Sequence, residues 1–264
     1  MMETIKISSR QNPLFKEIQV LEKAKERRTH QLFVLEGIKE LELAIEGGYD
    51  VVKIIYPDDI NPTILQKSNI KALDKVVFAR GLFDELCCRK GGDNVIALAK
   101  PLTHSIEAVK LPDNPLVLVI EAVEKPGNLG AILRTADAVG VDLVMVCDMS
   151  TDLYNPNVIR SSVGCLFTNK IVVTDSAKAK ELLIREKFNI FTTYLQTNNS
   201  HFSCDYTEKT ALIFGTEATG VSPIWLTEEI KKVKIPMRGK IDSMNVSNSV
   251  AVLLYEALRQ RINK

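Results

Sequence analysis

The sequence predicts an α/β protein of two domains, and three observations carry that prediction. Strand-like and helix-like stretches alternate along both halves of the chain. Leu116 to Glu121 is an almost unbroken apolar run, the pattern of a strand buried on both faces of a parallel sheet. Between the halves, Pro101 to Pro115 holds three prolines and no sustained period, which places a boundary there. The length agrees, because 264 residues suit one large domain or two ordinary ones. Hydrophobic residues at 45% and charged residues at 25% are globular values and exclude a mostly disordered chain.

In the first half, Leu14, Phe15, Ile18 and Leu21 recur at helical spacing, and the charged stretch Glu22 to Arg28 follows. Phe33-Val34-Leu35 reads as a short strand, and Gly37 to Ile45 as a helix stopped by Gly47-Gly48. Val51 to Tyr56 is β-branched and closed by Pro57, hence a strand. Asn61-Pro62 fits a helix start. Val76 to Ala79 is a strand, and Leu82, Phe83 and Leu86 mark a short helix. Gly91 to Asn94 is a turn leading into the strand Val95 to Ala99.

The second half begins with the strand Leu116 to Glu121. A helix from about Leu129 to Val139 is capped by Gly140, and the strand Leu143 to Cys147 follows. Next come a helix over Asn157 to Leu166, a strand over Lys170 to Val173, a helix over Ala177 to Glu186 and a strand over Asn189 to Tyr194. Ala211 to Phe214 is a strand ending in Gly215, and Val233 to Ile235 is a short strand ending at Pro236. The last helix, Val246 to Arg261, places Val246, Val250, Leu253, Leu254, Ala257 and Leu258 on one broad face.

Several function classes are disfavoured at once. A net charge of +1 gives no global signature of a nucleic-acid binder, although a neutral total can hide a basic face. Five cysteines with no CxxC pair, and three scattered histidines, imply neither a disulfide framework nor a metal site. The apolar runs are too short to span a bilayer, and MMETIKISSR lacks an apolar h-region. A cytoplasmic protein with no membrane partner is the expectation. No GxGxxG follows a predicted strand, and no GxSxG or Cys/His dyad pattern is present.

Three loop-rich stretches fall at the C-terminal ends of strands in the second half, the edge where open α/β sheets bind ligands. The first, residues 121 to 140, opens a helix at Pro126-Gly127-Asn128 and carries Arg134 six residues beyond Asn128. The second, residues 213 to 223, has Gly215 and Gly220 at nearly P-loop spacing, but Val221 stands where the phosphate-gripping lysine belongs. Two glycines at a strand end also suit close backbone approach to a flat ligand. The third, residues 235 to 261, offers Ser243 or Asn245 as the cap of the last helix, with Met244 between them.

Taken together, these stretches resemble the three motifs of the SpoU/TrmH family, the RNA 2′-O-ribose methyltransferases of the SPOUT superfamily. Residues 128 to 136, NLGAILRTA, resemble the first motif, and residues 214 to 222, FGTEATGVS, the second. Ile235-Pro236-Met237 through Ser243-Met244-Asn245-Val246-Ser247 resemble the third. The likeness covers residues 115 to 261. Residues 5 to 100 resemble, less specifically, the family's N-terminal substrate-binding domain, itself similar to small ribosomal RNA-binding proteins, through Phe33-Val34-Leu35-Glu36-Gly37. The resemblance divides the chain into an RNA-binding domain (1–103), a linker (104–114) and a SPOUT methyltransferase domain (115–264). It implies a parallel sheet with a deep C-terminal trefoil knot, S-adenosylmethionine as cofactor with no metal, and a homodimer.

The resemblance also assigns roles. Asn128, Arg134, Glu217, Ser243 and Asn245 match the family's polar active-site positions. Gly215, Ile235, Met237 and Met244 match its cofactor-binding positions, and Thr193 lines the same pocket. Met244 replaces the usual leucine, a volume-conserving exchange. Asn248 and Ser249 stand where small apolar residues usually follow. Methyl transfer to a ribose hydroxyl needs the oxygen held in attack geometry and its developing charge stabilised. Arg134 suits the second task, because an arginine stays protonated at neutral pH. Asn128, Ser243 and Asn245 would orient it with the ribose and the cofactor, and Glu217 would fix the arginine or the loop. Arg10, Lys16, Arg27, Arg28, Arg89 and Lys90 are the candidate RNA phosphate contacts. Ribosomal RNA is the favoured substrate by family analogy. The alternatives are a tRNA 2′-O-methyltransferase and a non-catalytic RNA-binding SPOUT protein.

Overall fold

The computed structural model describes residues 6–60, 65, 70, 73–87, 95–106 and 109–262. The helix start at Asn61-Pro62, the turn at Gly91 to Asn94, and Arg89 with Lys90 lie outside the described residues. Two compact units emerge: Met1–Leu102 together with Leu153–Thr168, and Thr103–Asp152 together with Asn169–Lys264.

The first unit carries β1 (Lys6–Ile7), α1 (Pro13–Val20), α2 (Ala24–His30), β2 (Phe33–Glu36), α3 (Ile38–Glu46), β3 (Val51–Pro57), β4 (Lys75–Phe78), α4 (Arg80–Asp84) and β5 (Ile96–Ala99). Its sheet has the order β1-β4-β3-β5-β2. The pairs β1/β4 and β3/β4 are parallel, and β5 runs antiparallel to both β3 and β2. Helix α1 starts where Asn12 accepts a hydrogen bond from the Leu14 N–H at 2.9 Å and Pro13 fills the first turn. Its buried Phe15 and Ile18 join Leu21, Ile55, Phe78 and Phe83 in the core.

The charged stretch after Leu21 is helical as α2, and this corrects one expectation. Arg27 is 3% exposed, and its Nη1 donates to the carbonyls of Leu21 at 2.7 Å and Glu22 at 2.8 Å. A buried guanidinium spent on helix-end carbonyls does not reach an RNA phosphate. Arg10, Lys16 and Arg28 are exposed. Arg10 forms a bidentate pair with Glu85 at 2.6 and 2.8 Å, and Lys16 donates to Gln11 at 2.6 Å.

The helix expected over Asn157 to Leu166 is two short helices, α6 (Pro156–Ser162) and α7 (Cys165–Thr168). Val163 and Gly164 take left-handed conformations, with φ of 53° and 81°, and interrupt it. At Gly164 a Cβ would lie 2.7 Å from Leu43 Cδ1, so the break is also a close approach to α3. Phe33, Tyr49, Tyr154 and Phe167 form an aromatic cluster there, with Phe33 and Tyr154 stacked at 4.4 Å.

The second unit contains β6 (Leu116–Glu121), α5 (Pro126–Val139), β7 (Leu143–Cys147), β8 (Ile171–Thr174), α8 (Ser176–Arg185), β9 (Asn189–Thr193), β10 (Thr210–Phe214), β11 (Lys231–Val233) and α9 (Val246–Ile262). Its six-stranded sheet has the order β11-β9-β10-β6-β7-β8, and every pairing is parallel. Every residue of β6, β7 and β10 is buried, as the unbroken apolar runs require. Strand β11 ends two residues earlier than Val233 to Ile235 suggested. Lys231 to Val233 pair with Phe191 to Thr193, and Ile235 is released to a loop. Chain order proceeds outward from β6 through β7 and β8, then resumes on the other side with β9 and β10. The sheet therefore has a topological switch point between β6 and β10, the place where such sheets open a crevice.

Replacing Phe33 by Ala removes the centre of the aromatic cluster. We expect a loss of about 3–5 kcal/mol, read as a lowered urea midpoint of the full chain.

Candidate active site

The switch point brings two loops together. After β6 the chain turns through Ala122, at φ 51°, toward Lys125 and the start of α5. After β10, Gly215 leads into a tight loop in which Thr216 N–H donates to the Gly220 carbonyl at 2.9 Å and Gly220 N–H returns to Thr216 at 3.1 Å. A Cβ on Gly215 would lie 2.1 Å from the Gly220 oxygen, so only glycine permits this closure. The loop folds on itself and presents Glu217 at its tip.

Glu217 collects side chains from three separated segments. Its Oε1 accepts from Asn128 Nδ2 at 2.7 Å and from Asn245 Nδ2 at 2.7 Å, and its Oε2 pairs with Lys125 Nζ at 2.6 Å. Asn245 Nδ2 also donates to Asn128 Oδ1 at 3.2 Å. Meanwhile Asn245 Oδ1 accepts from the backbone N–H of Ser247 at 2.9 Å and from its hydroxyl at 2.6 Å. Asn245 is thus the cap of α9, and the capping bond turns its amide toward Glu217. The Lys125 ammonium above all, helped by the Asn128 amide and the Val246 N–H, holds the Glu217 carboxyl below the usual carboxylate range against the opposing effect of burial.

Beside this cluster lies a cavity of about 360 Å³. Thr193, Gly215, Ile235, Met237, Met244 and Ser243 line it, together with Glu217. Val233 and Leu226 add apolar wall, and Asp242 and Ser249 add polar groups. Ser249 therefore faces the cavity, while Asn248 is exposed. Ser243 Oγ donates to Asp242 at 3.0 Å. A second cavity of about 290 Å³ adjoins it, lined by Lys125, Asn128 and Val123 and sharing Thr216, Glu217, Ala218 and Val246. Arg134 stands apart. It is exposed on α5, roughly 120° around the helix from Asn128, and Glu217 is bound to Lys125 instead.

Two residues here escape motif reading. Lys125 is one, since its partner is ninety-two positions away. Glu121 is the other. It is 4% exposed at the end of β6 and accepts from Ser222 N–H at 2.7 Å, Ser222 Oγ at 2.6 Å, Trp225 Nε1 at 3.1 Å and Ser176 Oγ at 2.8 Å. A buried carboxylate with four donors ties the far end of the Gly215 loop to β6 and α8. A charged residue closing an apolar strand was its only signal. Among the described residues no group of His, Cys, Asp and Glu could hold a metal ion, and no helix is long and apolar enough to cross a membrane.

A parallel sheet whose switch point holds a small-molecule cavity, with an amide–carboxylate cluster at its rim, defines the class: an α/β protein of the nucleotide-cofactor-binding kind. The comparisons make it specific. Residues 115–255 match the SpoU rRNA Methylase family, and residues 12–97 match the MRM3-like substrate binding domain. The chain belongs to the SpoU methylase family. It is 28% identical over 268 residues to the 23S rRNA (uridine(2479)-2′-O)-methyltransferase of Streptomyces viridochromogenes, covering 98% of this chain and 93% of that protein. A solved RNA 2′-O ribose methyltransferase superposes with a TM-score of 0.84 at 33% identity, over 98% of this chain and 100% of the other. The SpoU methyltransferase AviRb from Streptomyces viridochromogenes, in complex with the cofactor AdoMet, superposes with a TM-score of 0.86 at 26% identity, over 96% and 100%.

Replacing Glu121 by Ala leaves the Ser222 and Trp225 N–H groups without their buried acceptor, at about 1–3 kcal/mol each. Chemical denaturation of the variant reads that loss directly, and Glu121→Gln, which keeps one acceptor oxygen, loses less.

Proposed function

We propose that this chain is an S-adenosylmethionine-dependent RNA 2′-O-ribose methyltransferase acting on ribosomal RNA. The observation that carries this reading is the meeting of Asn128, Glu217 and Asn245 at the rim of the 360 Å³ cavity in a SpoU family chain. Two of the relatives above are named as RNA 2′-O-methyltransferases, and the 23S rRNA relative matches nearly the whole of this chain.

The cavity fits the cofactor. Its volume lies within the range of about 300–1,000 Å³ found for small-molecule sites. Ile235, Met237 and Met244 offer apolar surface to an adenosyl group, Gly215 lets the backbone approach it, and Thr193 adds to the lining. Ser243 with Asp242 supplies polar groups for its amino-acid end. When bound, S-adenosylmethionine supplies an electrophilic methyl group.

The remaining tasks fall to the chain. The 290 Å³ cavity beside Glu217 is the place for the acceptor ribose, with Asn128 able to donate its second amide hydrogen there. Arg134 is exposed and has no hydrogen bond or ion pair among the described residues. Its guanidinium is available to hold a phosphate and, although it lines neither cavity in the free chain, is the group proposed to stabilise the alkoxide once RNA is bound. Glu217 organises the two asparagines rather than the arginine.

In the first unit, Arg10, Lys16 and Arg28 are the accessible cations that suit RNA phosphates, and Arg10 must first leave Glu85. The same reading includes the family's C-terminal knot, a homodimer, a division of labour in which residues 1–103 select the RNA and residues 115–264 carry the chemistry, and a cytoplasmic location beside the ribosomal RNA.

Labelled S-adenosylmethionine with ribosomal RNA lacking the modification tests this. Digestion to nucleosides should yield a 2′-O-methylnucleoside, and transfer to tRNA alone, or to no RNA, would overturn the assignment. We expect Arg134→Ala to lower the rate on the order of 10²–10³-fold. Gly215→Ala should abolish cofactor uptake in isothermal titration calorimetry, because its Cβ cannot coexist with the Gly220 carbonyl.

A further inference from the structure

We propose that Lys125 is a positioning residue of the methyl-transfer site, acting through Glu217. The inference rests on the function proposed above. Lys125 belongs to none of the motif positions, and its side chain is 68% exposed, so the fold does not need it for burial.

Hydrogen-bond accounting carries the argument. Glu217 sits at the tip of a four-residue loop and has two oxygens to place. One takes both asparagine amides, and the other takes Lys125 at 2.6 Å. The contacts on Oε1 come from residues that have other duties. Asn245 caps α9, and Asn128 lies on the first turn of α5. Lys125 stands at the start of α5, where its carbonyl accepts from the Asn128 and Leu129 N–H groups at 3.0 and 3.2 Å, but its ammonium has no other hydrogen bond and is the only cation paired with Glu217 among the described residues.

Remove the ammonium and Oε2 loses its side-chain partner, so the carboxylate, held by the two amides and the Val246 N–H, is freer to rotate. Electrostatics point the same way. The Lys125 ammonium is paired with Glu217, and its chain neighbour Glu124 adds a smaller attraction. Without it, two carboxylates line the cavity that a polyanionic RNA must enter, and the Glu217 carboxyl loses the largest of the influences that hold it below its usual range. At the loop tip only the neutral amides of Asn128 and Asn245 then hold Glu217 by their side chains, while the far end of the loop stays fixed by Glu121.

The test compares Lys125→Met, Lys125→Arg, Glu217→Gln and the Lys125→Met/Glu217→Gln double variant in the full-length chain. We expect Lys125→Met to lower kcat about ten- to a hundredfold, the cost of a small misplacement of reacting groups. KM for RNA should hold, and Lys125→Arg should recover most of the rate. In the Glu217→Gln background, Lys125→Met should add no further loss. Losses that multiply in the double variant would overturn the proposal. So would a raised KM for RNA at unchanged kcat, which would make Lys125 a direct RNA contact.

A readout independent of activity separates this from the proposed function. Carbon-13 NMR of the side-chain carboxyls, with Glu217 assigned by its absence in Glu217→Gln, should show it titrating at higher pH in Lys125→Met than in the wild type. An unmoved titration overturns the positioning role even in an active enzyme. A moved titration in a chain that transfers no methyl group upholds the contact and overturns the methyltransferase reading instead.

Discussion

The parallel pairing of β6 with β10 is the constraint from which the rest of the site follows. Leu116 to Ile120 lie in register with Thr210 to Phe214 over five residues, so the two strands end side by side. Segments nearly a hundred residues apart then leave the sheet at the same point. Lys125 and Asn128 follow one strand, Gly215 and Glu217 the other. A slip of one residue would turn Glu121 out of its buried acceptor position and carry Glu217 away from the asparagines.

Two carboxylates divide the work at that point, and their surroundings explain the division. Glu121 is buried and surrounded by neutral donors from Ser176, Ser222 and Trp225. It anchors the loop. Glu217 is at the surface and pairs with a lysine and two amides. It arranges groups around a cavity and stays ionised while doing so. The rigid partner makes the accessible one accurate: the loop can present Glu217 only because its far end is fixed to the strand beside it. The Gly215–Gly220 closure shortens the tip further, so little conformational freedom is left to the carboxylate.

Much of this was legible in the chain. The apolar runs of β6, β7 and β10 had to be buried strands of a parallel sheet. Asn128, Glu217 and Asn245 belong to the three loop motifs, and their side chains meet. Other features were not legible. The helix over Asn157 to Leu166 has a continuous helical pattern, yet close packing on α3 breaks it at Val163 and Gly164. Arg27 reads as one more cation in a charged stretch, and its burial depends on where the preceding helix ends. Lys125 and Glu121 carry no local pattern, because what defines each is a partner far along the chain.

By itself the sequence determined the elements, their buried faces and the residue types available for chemistry, because periodicity and backbone preference act over a few neighbours. It also determined the family, since the order and spacing of three motifs survive without coordinates. Tertiary structure alone decided which polar groups face one another: that Glu217 holds Lys125 and not Arg134, that Arg27 caps a helix, and that Thr193, Gly215, Ile235 and Met244 enclose one cavity. These are distances between segments brought together by the strand order β11-β9-β10-β6-β7-β8. That order is set by packing over the whole sheet, which no local stretch of sequence encodes.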